Sequence, residues 1–359
     1  MGARKEKKRG VPMKPTGKKV LPGLLLAALL LAGSIPSARA QKPAPPQQPQ
    51  EGGVSISVDV PVVMLDVIAA TQHGDILTGL KKENFRVTED GVVQTVTNFG
   101  PTDAPITIVI LLEDSRVFGG YFSAYAKYWA EPFFHNLNPK DWVALVAFDM
   151  KSRVEVDFTQ NKEEVRDAIL HMYFPGFSES NIFDAVTDTL DRLKEVQGKK
   201  SILILASGVD TFSKHTLDKT LAEIKQTGVT IFSVGVGKTQ IEMMDARGQI
   251  SSTSRLSFYQ AENQLRTFAE LTGGRSWFPQ FDGEIPGIFQ DLVASLRNQY
   301  NLVYSPTNRA RDGKFRKIKV ELVAPDGGPL TVVDQKGKKQ KFVVYARQGY
   351  YAPKEAPVN

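Results

Sequence analysis

Short apolar runs alternate with longer amphipathic segments between residues 106 and 298, and no other feature of the sequence limits the fold as much. Ile106–Leu112 (ITIVILL) and Trp142–Phe148 (WVALVAF) are apolar at nearly every position, as strands covered on both faces are. Segments of helical length separate such runs, which predicts a doubly wound α/β fold with a mainly parallel sheet. The other predicted strands are Val154–Phe158, Ser201–Ala206, Thr230–Val236 and Arg275–Phe278. The predicted helices are Tyr121–Leu137, Lys162–Met172, Ile182–Val196, Leu217–Thr227 and two near Gln264–Leu271 and Ile285–Asn298.

Two β-rich segments flank this α/β domain. Val54–Phe99 begins with apolar residues at alternate positions, and Glu89-Asp90-Gly91 predicts a hairpin turn. Tyr300–Tyr351 returns to strand patterns after the last predicted helix. Because chain ends within a domain often lie close together, we expect the two segments to pair in a β-sandwich-like module. Its predicted strands are Val54–Val60, Val62–Ala69, Phe85–Thr88, Val92–Phe99, Tyr300–Tyr304, Phe315–Leu322 and Phe342–Ala346.

These patterns divide the chain into six predicted parts. They are a signal peptide at 1–40, a disordered linker at 41–53, an N-terminal β segment at 54–100, the α/β domain at 101–299, a C-terminal β segment at 300–353 and a tail at 354–359. Within the α/β domain, Lys238–Gln260 is polar and interrupts the alternation. Long loops of this kind are often functional or mobile, so we expect an insertion that presents a surface to a partner.

The first 40 residues have the pattern of an export signal. A basic stretch precedes the apolar run Leu21–Gly33, and Ser37-Ala38-Arg39-Ala40 offers the small residues that signal peptidase accepts. The apolar run has about 13 residues, whereas a membrane span needs roughly 20. We therefore expect cleavage after Ala40 and a periplasmic, cell-surface or secreted protein without an integral membrane segment. An uncleaved signal anchor is the alternative.

Composition excludes several classes of function. Residues 1–40 hold nine of the 45 Lys and Arg residues and one of the 39 Asp and Glu residues, so the remainder has a formal net charge of −2 rather than +6. The basic character belongs to the leader, and nucleic acid is not the expected partner. The absence of cysteine excludes thiol catalysis and Cys-ligated metals. The four histidines show no zinc-ligand spacing, which argues against a zinc hydrolase.

Polar residues follow the predicted strands where an open α/β sheet binds its ligands, at the carboxyl ends. Glu113-Asp114-Ser115-Arg116 follows the first strand, and Ser207-Gly208-Val209-Asp210-Thr211 follows Ser201–Ala206. Ser178-Glu179-Ser180-Asn181 precedes the helix that begins near Ile182. Carboxylate and hydroxyl oxygens gathered at one edge suit a hard cation such as Mg²⁺.

The same three segments resemble the metal-site loops of a von Willebrand factor A domain. Four flanking segments are similar to the VWFA-related Acidobacterial domain family: Leu80–Phe85, Glu89-Asp90-Gly91, Asp312–Val320 and Ala346–Tyr351. This resemblance extends from about Val54 to Pro353. The resemblance implies a vWA fold of Rossmann-like type, export and adhesion-type binding. We therefore predict a non-enzymatic binding protein whose partner is a protein or extracellular matrix component.

The metal loops depart from the family's pattern, which is D-x-S-x-S with a Thr on the second loop and an Asp on the third. Glu113, Ser115 and Val117 stand at D-x-S-x-S. Ser180 stands at the Thr position and Ser207 at the Asp position. Val117 cannot ligate a metal ion, and Ser207 exchanges an anionic ligand for a neutral one.

The resemblance thus implies a degenerate metal site made of Glu113, Ser115, Ser180 and Ser207. Asp114 and Asp210 are the candidate substitute ligands. Arg116 brings a positive charge to the same loop, which opposes a divalent ion. No cofactor is expected beyond weakly bound Mg²⁺.

Ordinary structural roles explain the same residues without a metal. These roles are helix caps for Ser115 and Ser180, an ion pair with Lys or Arg for Asp184, an Asx-type turn for Asp210, and a Glu113–Arg116 salt bridge in place of the ion.

Two further classes of function stay open. A hydrolase would use Ser207, Asp210 and His215, although no G-x-S-x-G elbow is present. A purely structural envelope component would capture no partner at all. The aromatic stripe on Tyr121–Leu137 is predicted to be core rather than a binding face.

Overall fold

The computed structural model describes residues 61–101, 104–116, 121–122, 125–172, 177–235, 245–248, 251–333 and 336–355. The predicted leader, the linker, the strand Val54–Val60 and Val117 lie outside these residues. Within the described ranges, no helix is both long enough and apolar enough to cross a membrane.

The strands and helices follow the predicted order closely. The strands are Val63–Thr71 (β1), Phe85–Glu89 (β2), Val92–Gln94 (β3), Val96–Pro101 (β4), Ile106–Glu113 (β5), Trp142–Phe148 (β6), Ser152–Thr159 (β7), Lys199–Ala206 (β8), Thr230–Gly235 (β9), Ser276–Trp277 (β10), Tyr300–Tyr304 (β11), Phe315–Leu322 (β12), Val332–Val333 (β13), Lys339–Gln340 (β14), Phe342–Tyr345 (β15) and Gly349–Tyr351 (β16). The helices are Ala126–His135 (α1), Lys162–Leu170 (α2), Ile182–Arg192 (α3), Leu217–Gln226 (α4), Ser252–Thr272 (α5) and Ile285–Arg297 (α6).

The central sheet has the strand order β10-β9-β8-β5-β6-β7. All neighbours in it are parallel except β7, an edge strand that runs antiparallel to β6. Strand β5 lies in the middle and is buried along its whole length, which explains its unbroken apolar run. The predicted mainly parallel sheet is confirmed.

Helices cover both faces of this sheet and bury their apolar stripes against it. The α1, α2 and α6 side chains share one core cluster with β5 and β6, and that cluster includes Trp129, Phe133 and Phe289. The α3, α4 and α5 side chains share a second cluster on the opposite face, which includes Phe183 and Phe268. Burial of each such side chain contributes about 1.5–3 kcal/mol. The aromatic stripe is therefore core, as predicted, apart from the exposed Tyr128.

Helix α5 corrects the second part of the predicted insertion, residues 252–260, whereas residues 238–244 and 249–250 lie outside the described residues. The polar segment Lys238–Gln260 was expected to be a loop, but α5 begins at Ser252, well before the predicted start near Gln264. Residues 255–263 (RLSFYQAEN) contain good helix formers, and Ala261 at their end is buried together with Leu265 and Phe268. The hydroxyl-rich start misled the prediction, because Ser and Thr are also favoured where helices begin.

The two flanking segments pair with each other, as predicted. They form one antiparallel sheet in the order β15-β1-β11-β4 and another in the order β16-β12-β2-β3. Side chains from both sheets, among them Leu65, Val87, Leu302 and Ile318, share one buried cluster. The predicted hairpin is split: β3 pairs with β2, whereas β4 joins β11 in the other sheet.

Candidate functional site

The candidate site lies at the carboxyl ends of β5, β6 and β8. Strand β5 ends at Glu113, and Asp149 and Ser207 directly follow β6 and β8. Backbone hydrogen bonds connect these ends, since the Asp114 N–H donates to the Phe148 carbonyl at 2.9 Å and the Asn181 N–H donates to the Asp149 carbonyl at 2.9 Å. The parallel register thus gathers the predicted strand-end residues at one edge.

Glu113 is a buried carboxylate of the site, with 1% of its surface exposed. Its Oε1 accepts a hydrogen bond from the Ser115 hydroxyl at 2.7 Å, and its Oε2 accepts one from the Ser207 N–H at 2.7 Å. Burial raises the pKa of Glu113 above its ordinary value, although the hydrogen bonds from Ser207 and Ser115 oppose that rise. Two predicted ligands, Ser115 and Ser207, are therefore bonded to Glu113 itself.

Two further buried carboxylates, those of Asp114 and Asp149, are bound by one guanidinium. Arg153 on β7 forms an ion pair with Asp114 and another, at 2.9 Å, with Asp149. Both carboxylate side chains are 1% exposed, and that of Arg153 is 30% exposed. Burial raises the pKa of Asp114 to about 6, because it outweighs the lowering by Arg153.

Sequence reasoning missed both Asp149 and Arg153. Asp149 is the first residue after an apolar strand, and the rule that selected Ser207 would have selected it. The partnership with Arg153 arises from the antiparallel β6–β7 register, which places Arg153 opposite Ala147. The predicted Glu113–Arg116 salt bridge is wrong, because Arg116 is exposed and Glu113 bonds to Ser115 and Ser207.

Four buried oxygens of the site have no hydrogen-bond partner among the described residues: Asp114 Oδ1, Asp149 Oδ2, Ser180 Oγ and Asn181 Oδ1. A buried acceptor without a donor costs about 1–3 kcal/mol. The floor of the site is thus rich in acceptors, and Arg153 is the cation that touches it.

The loop after β8 binds the start of α3. Asp184 accepts hydrogen bonds from the backbone N–H groups of Lys214 and His215 and lies 2.6 Å from the His215 ring nitrogen Nδ1. Burial alone would raise the pKa of Asp184, but these N–H groups bring it below its ordinary value. Asp184 therefore pairs with His215 rather than with the predicted Lys or Arg. Asp210 accepts a hydrogen bond from the Ser213 hydroxyl at 2.5 Å, which fits its predicted role in a turn.

Ser180 does not cap α3, and the predicted hydrolase site does not form among the described residues. The backbone N–H groups that Ser115 would cap belong to residues 117–118, which lie outside the described residues. The Ser115 hydroxyl donates to Glu113, and α3 follows Asn181 with no capping side chain. The Ser207 hydroxyl accepts from the Val209 N–H at 3.1 Å, whereas the His215 ring contacts Asp184. Among the residues that the structure describes, no hydrogen bond joins Ser207 to His215, so the geometry of a catalytic triad is missing.

Exposed aromatic side chains border the site. Phe177 is 48% exposed and Phe212 is 54% exposed. The Phe177 carbonyl accepts a hydrogen bond from the Arg116 N–H at 2.6 Å, and the Phe212 N–H donates to the Ser180 carbonyl at 3.2 Å. We call Arg116, Phe177 and Phe212 the rim.

The residues present do not fit the divalent ion that a site of this type implies. Both Glu113 oxygens already accept hydrogen bonds, and the Arg153 guanidinium contacts Asp114 and Asp149, where its charge repels a second cation. No group of three or more acidic or histidine side chains within the described ranges is arranged to hold a metal ion.

Residues 107–271 match the family model described as von Willebrand factor type A domain. A comparison with curated proteins gives no match. One similar solved structure is a von Willebrand factor type A protein from Catenulispora acidiphila, with 11% identity, a TM-score of 0.42 and coverage of 81% of this chain and 72% of that one. Another is the von Willebrand factor domain of a type V pilus tip protein from Porphyromonas gingivalis, with 11% identity, a TM-score of 0.40 and coverage of 54% of this chain and 96% of that one. Proximal thread matrix protein 1 of the mussel byssus has 11% identity, a TM-score of 0.42 and 55% coverage of this chain, which spans 49% of that protein.

Proposed function

We propose that this chain, whose residues 107–271 form a von Willebrand factor type A domain, is an exported binding protein without catalytic activity. Its partner is a protein or a matrix component of the cell exterior. The rim of Arg116, Phe177 and Phe212 binds that partner. The leader pattern of residues 1–40 supports export to the periplasm, cell surface or medium.

The observation that carries this proposal is the pair of exposed phenylalanines at the strand ends. An aromatic side chain that is about half exposed contributes little to its own fold, and aromatic and Arg side chains are enriched where proteins bind each other. Both phenylalanines belong to loops that hydrogen bonds connect to their neighbours, including the Thr211 N–H to the Ser180 carbonyl at 2.8 Å. A surface fixed in this way loses little conformational entropy on binding.

The proposed binding mode needs no divalent ion. The contacts of Arg153 with Asp114 and Asp149 support a fixed guanidinium as the positive charge at this edge of the sheet. The bonds of Ser115 and Ser207 to Glu113 support a degenerate metal site, because they engage the groups that would otherwise coordinate the ion.

Metal independence is tested by calorimetric titration of the mature chain, residues 41–359, with Mg²⁺, Mn²⁺ and Ca²⁺. We expect millimolar binding or none. Micromolar affinity for any of the three ions would contradict the proposed replacement of the ion by Arg153.

The binding role is tested by immobilising the mature chain and measuring the dissociation constant of a captured envelope or medium protein in EDTA and in Mg²⁺. We expect the same affinity in both buffers and a loss of about thirtyfold in the F177S/F212S variant, as hot-spot aromatic residues give. The matched control is V92S/V93S, which removes two exposed apolar side chains from β3 and should leave capture unchanged. Capture that requires Mg²⁺, or that survives F177S/F212S, would overturn the role of the rim.

A further inference from the structure

A large cleft lies at the opposite end of the parallel sheet from the rim. Its volume is about 1150 Å³, and its lining includes Lys199 and Thr230, the first residues of β8 and β9. The edge strand β16 of the flanking module lines it as well. The cleft therefore lies where the α/β domain meets the flanking β module.

Positive charge dominates this cleft. Its lining contains seven Lys and Arg residues against one acidic residue, Asp66. The basic residues are Lys194, Lys199, Lys200, Lys225, Arg309, Arg311 and Arg347. One of them, Lys194, is paired with Asp191 at 2.6 Å. Residues 41–60, which precede the cleft in the chain, contain only Glu51 and Asp59 as acidic residues, so they bring too little negative charge to balance it.

Two of the cations are largely buried without an ion pair among the described residues. The Lys199 Nζ donates to the Leu296 carbonyl at 3.2 Å, and Arg347 donates to the Thr227 carbonyl at 3.1 Å. Burial lowers the pKa of Lys199 to about 8, with Asp66 opposing the shift, and it lowers the pKa of Arg347 as well. These cations hold the ends of helices, and an anion in the cleft would reduce the cost of burying them.

Arg309 and Arg311 differ from this pair because they are exposed. Neither forms an ion pair with any residue that the structure describes. Their guanidinium groups are free to bind carboxylates in the bidentate geometry that Arg favours.

We propose that this cleft binds an acidic segment of a partner polypeptide. The volume exceeds the roughly 300–1,000 Å³ of a typical small-molecule site, which favours an extended ligand. Strand β16 is at the edge of its sheet, the position at which an extended peptide can add to a sheet. The aromatic side chains of the lining are already engaged, since Tyr350 donates to Glu89 and Tyr351 packs against Phe315. Tyr351 is 40% exposed, but a single exposed ring gives little of the stacking of successive bases by which single-stranded nucleic acids bind.

The test measures the fluorescence anisotropy of a labelled ten-residue oligoglutamate titrated with the mature chain at low salt. A labelled oligothymidylate of the same charge serves as the second arm. We expect the peptide to bind, and the R309A/R311A variant to bind it about tenfold more weakly or worse, which is the loss expected for one charge-assisted hydrogen bond. Affinity should also fall as salt is added, since the exposed charges are screened.

The matched control is K81A/K82A, which removes two positive charges from exposed positions outside the cleft. Its peptide affinity should stay within about twofold of the wild type, because exposed charges at a distance are screened. The F177S/F212S variant should also bind the peptide normally, which separates this proposal from the rim. The proposal would be overturned if the peptide did not bind, or if R309A/R311A bound it as tightly as the wild type. It would also be overturned if the oligothymidylate bound more tightly than the peptide and lost the same affinity in R309A/R311A.

Discussion

Replacing Arg153 with alanine removes the one cation among the described residues that contacts Asp114 and Asp149. Both carboxylates are 1% exposed, and in each of them the oxygen that Arg153 does not contact has no donor among the described residues. The truncation therefore leaves two buried negative charges side by side without a counter-charge. Their repulsion adds to the cost of desolvation, because Asp149 already raises the pKa of Asp114.

Removing one partner of a buried ion pair lowers the free energy of unfolding by about 3–5 kcal/mol. We expect about 3 kcal/mol for R153A at pH 8, at the low end because the Arg153 side chain is 30% exposed. The loss should be smaller at pH 5. Loss of Arg153 raises the pKa of Asp114 above its present value of about 6, so in the folded variant Asp114 holds a proton at pH 5. The unfolded chain, with an Asp pKa of about 3.9, does not hold it, so the stability of both proteins falls as the pH rises from 5 to 8. The stability of R153A falls further, because its Asp114 has a higher pKa than the wild-type Asp114.

Urea denaturation followed by tryptophan fluorescence at pH 5 and pH 8 measures both effects. R192A is the matched control, because Arg192 forms an ion pair with the exposed Asp157 at 2.9 Å. An exposed pair of that kind contributes about 0–1 kcal/mol. If R153A loses no more stability than R192A at pH 8, or loses equally at both pH values, then Arg153 is not the counter-charge of these carboxylates.

Two further predictions concern stability elsewhere in the fold. The folded chain releases the Lys199 proton near pH 8 and the unfolded chain near pH 10.4. Between pH 7 and 10.5 the wild type should therefore gain up to about 3 kcal/mol of stability relative to K199M, as urea denaturation measures it. If the stability of the two proteins changed equally with pH, the lowered pKa would be contradicted. G273A should lose more than about 1 kcal/mol, because Gly273 has φ +81° and an added Cβ would lie 2.6 Å from the Arg347 backbone nitrogen. G337A should lose less, because Gly337 has φ +77° but no described atom would lie within 4 Å of an added Cβ. Equal losses would mean that the contact with Arg347 does not matter.

The central sheet was predictable because its signal is local. A run such as Ile106–Leu112 is apolar at every position but Thr107 because both faces of β5 are covered, and no distant residue is needed to identify it. The beginning of α5 was not predictable in the same way. Its first turn, residues 252–255 (STSR), is polar, and the fully buried positions that anchor the helix, Ala261, Leu265 and Phe268, come only later in the chain. Tertiary packing of the second half therefore decided the state of the first.

The candidate site was predictable in its position and in the kind of group that it contains, but not in its pairing. Sequence reasoning expected a positive charge close to the strand-end carboxylates and chose Arg116, the nearest Arg in the chain. The structure instead uses Arg153, because a tight β6–β7 connection returns the chain antiparallel and places Arg153 opposite Ala147, while Ala147 is in register with Leu112 of β5. A residue two positions beyond Leu112 then lies within reach of that guanidinium. When the metal ligands of such a sheet edge are incomplete, the sequence signal to examine is therefore an Arg near the start of an antiparallel edge strand. An Asp that directly follows the preceding parallel strand completes this signal.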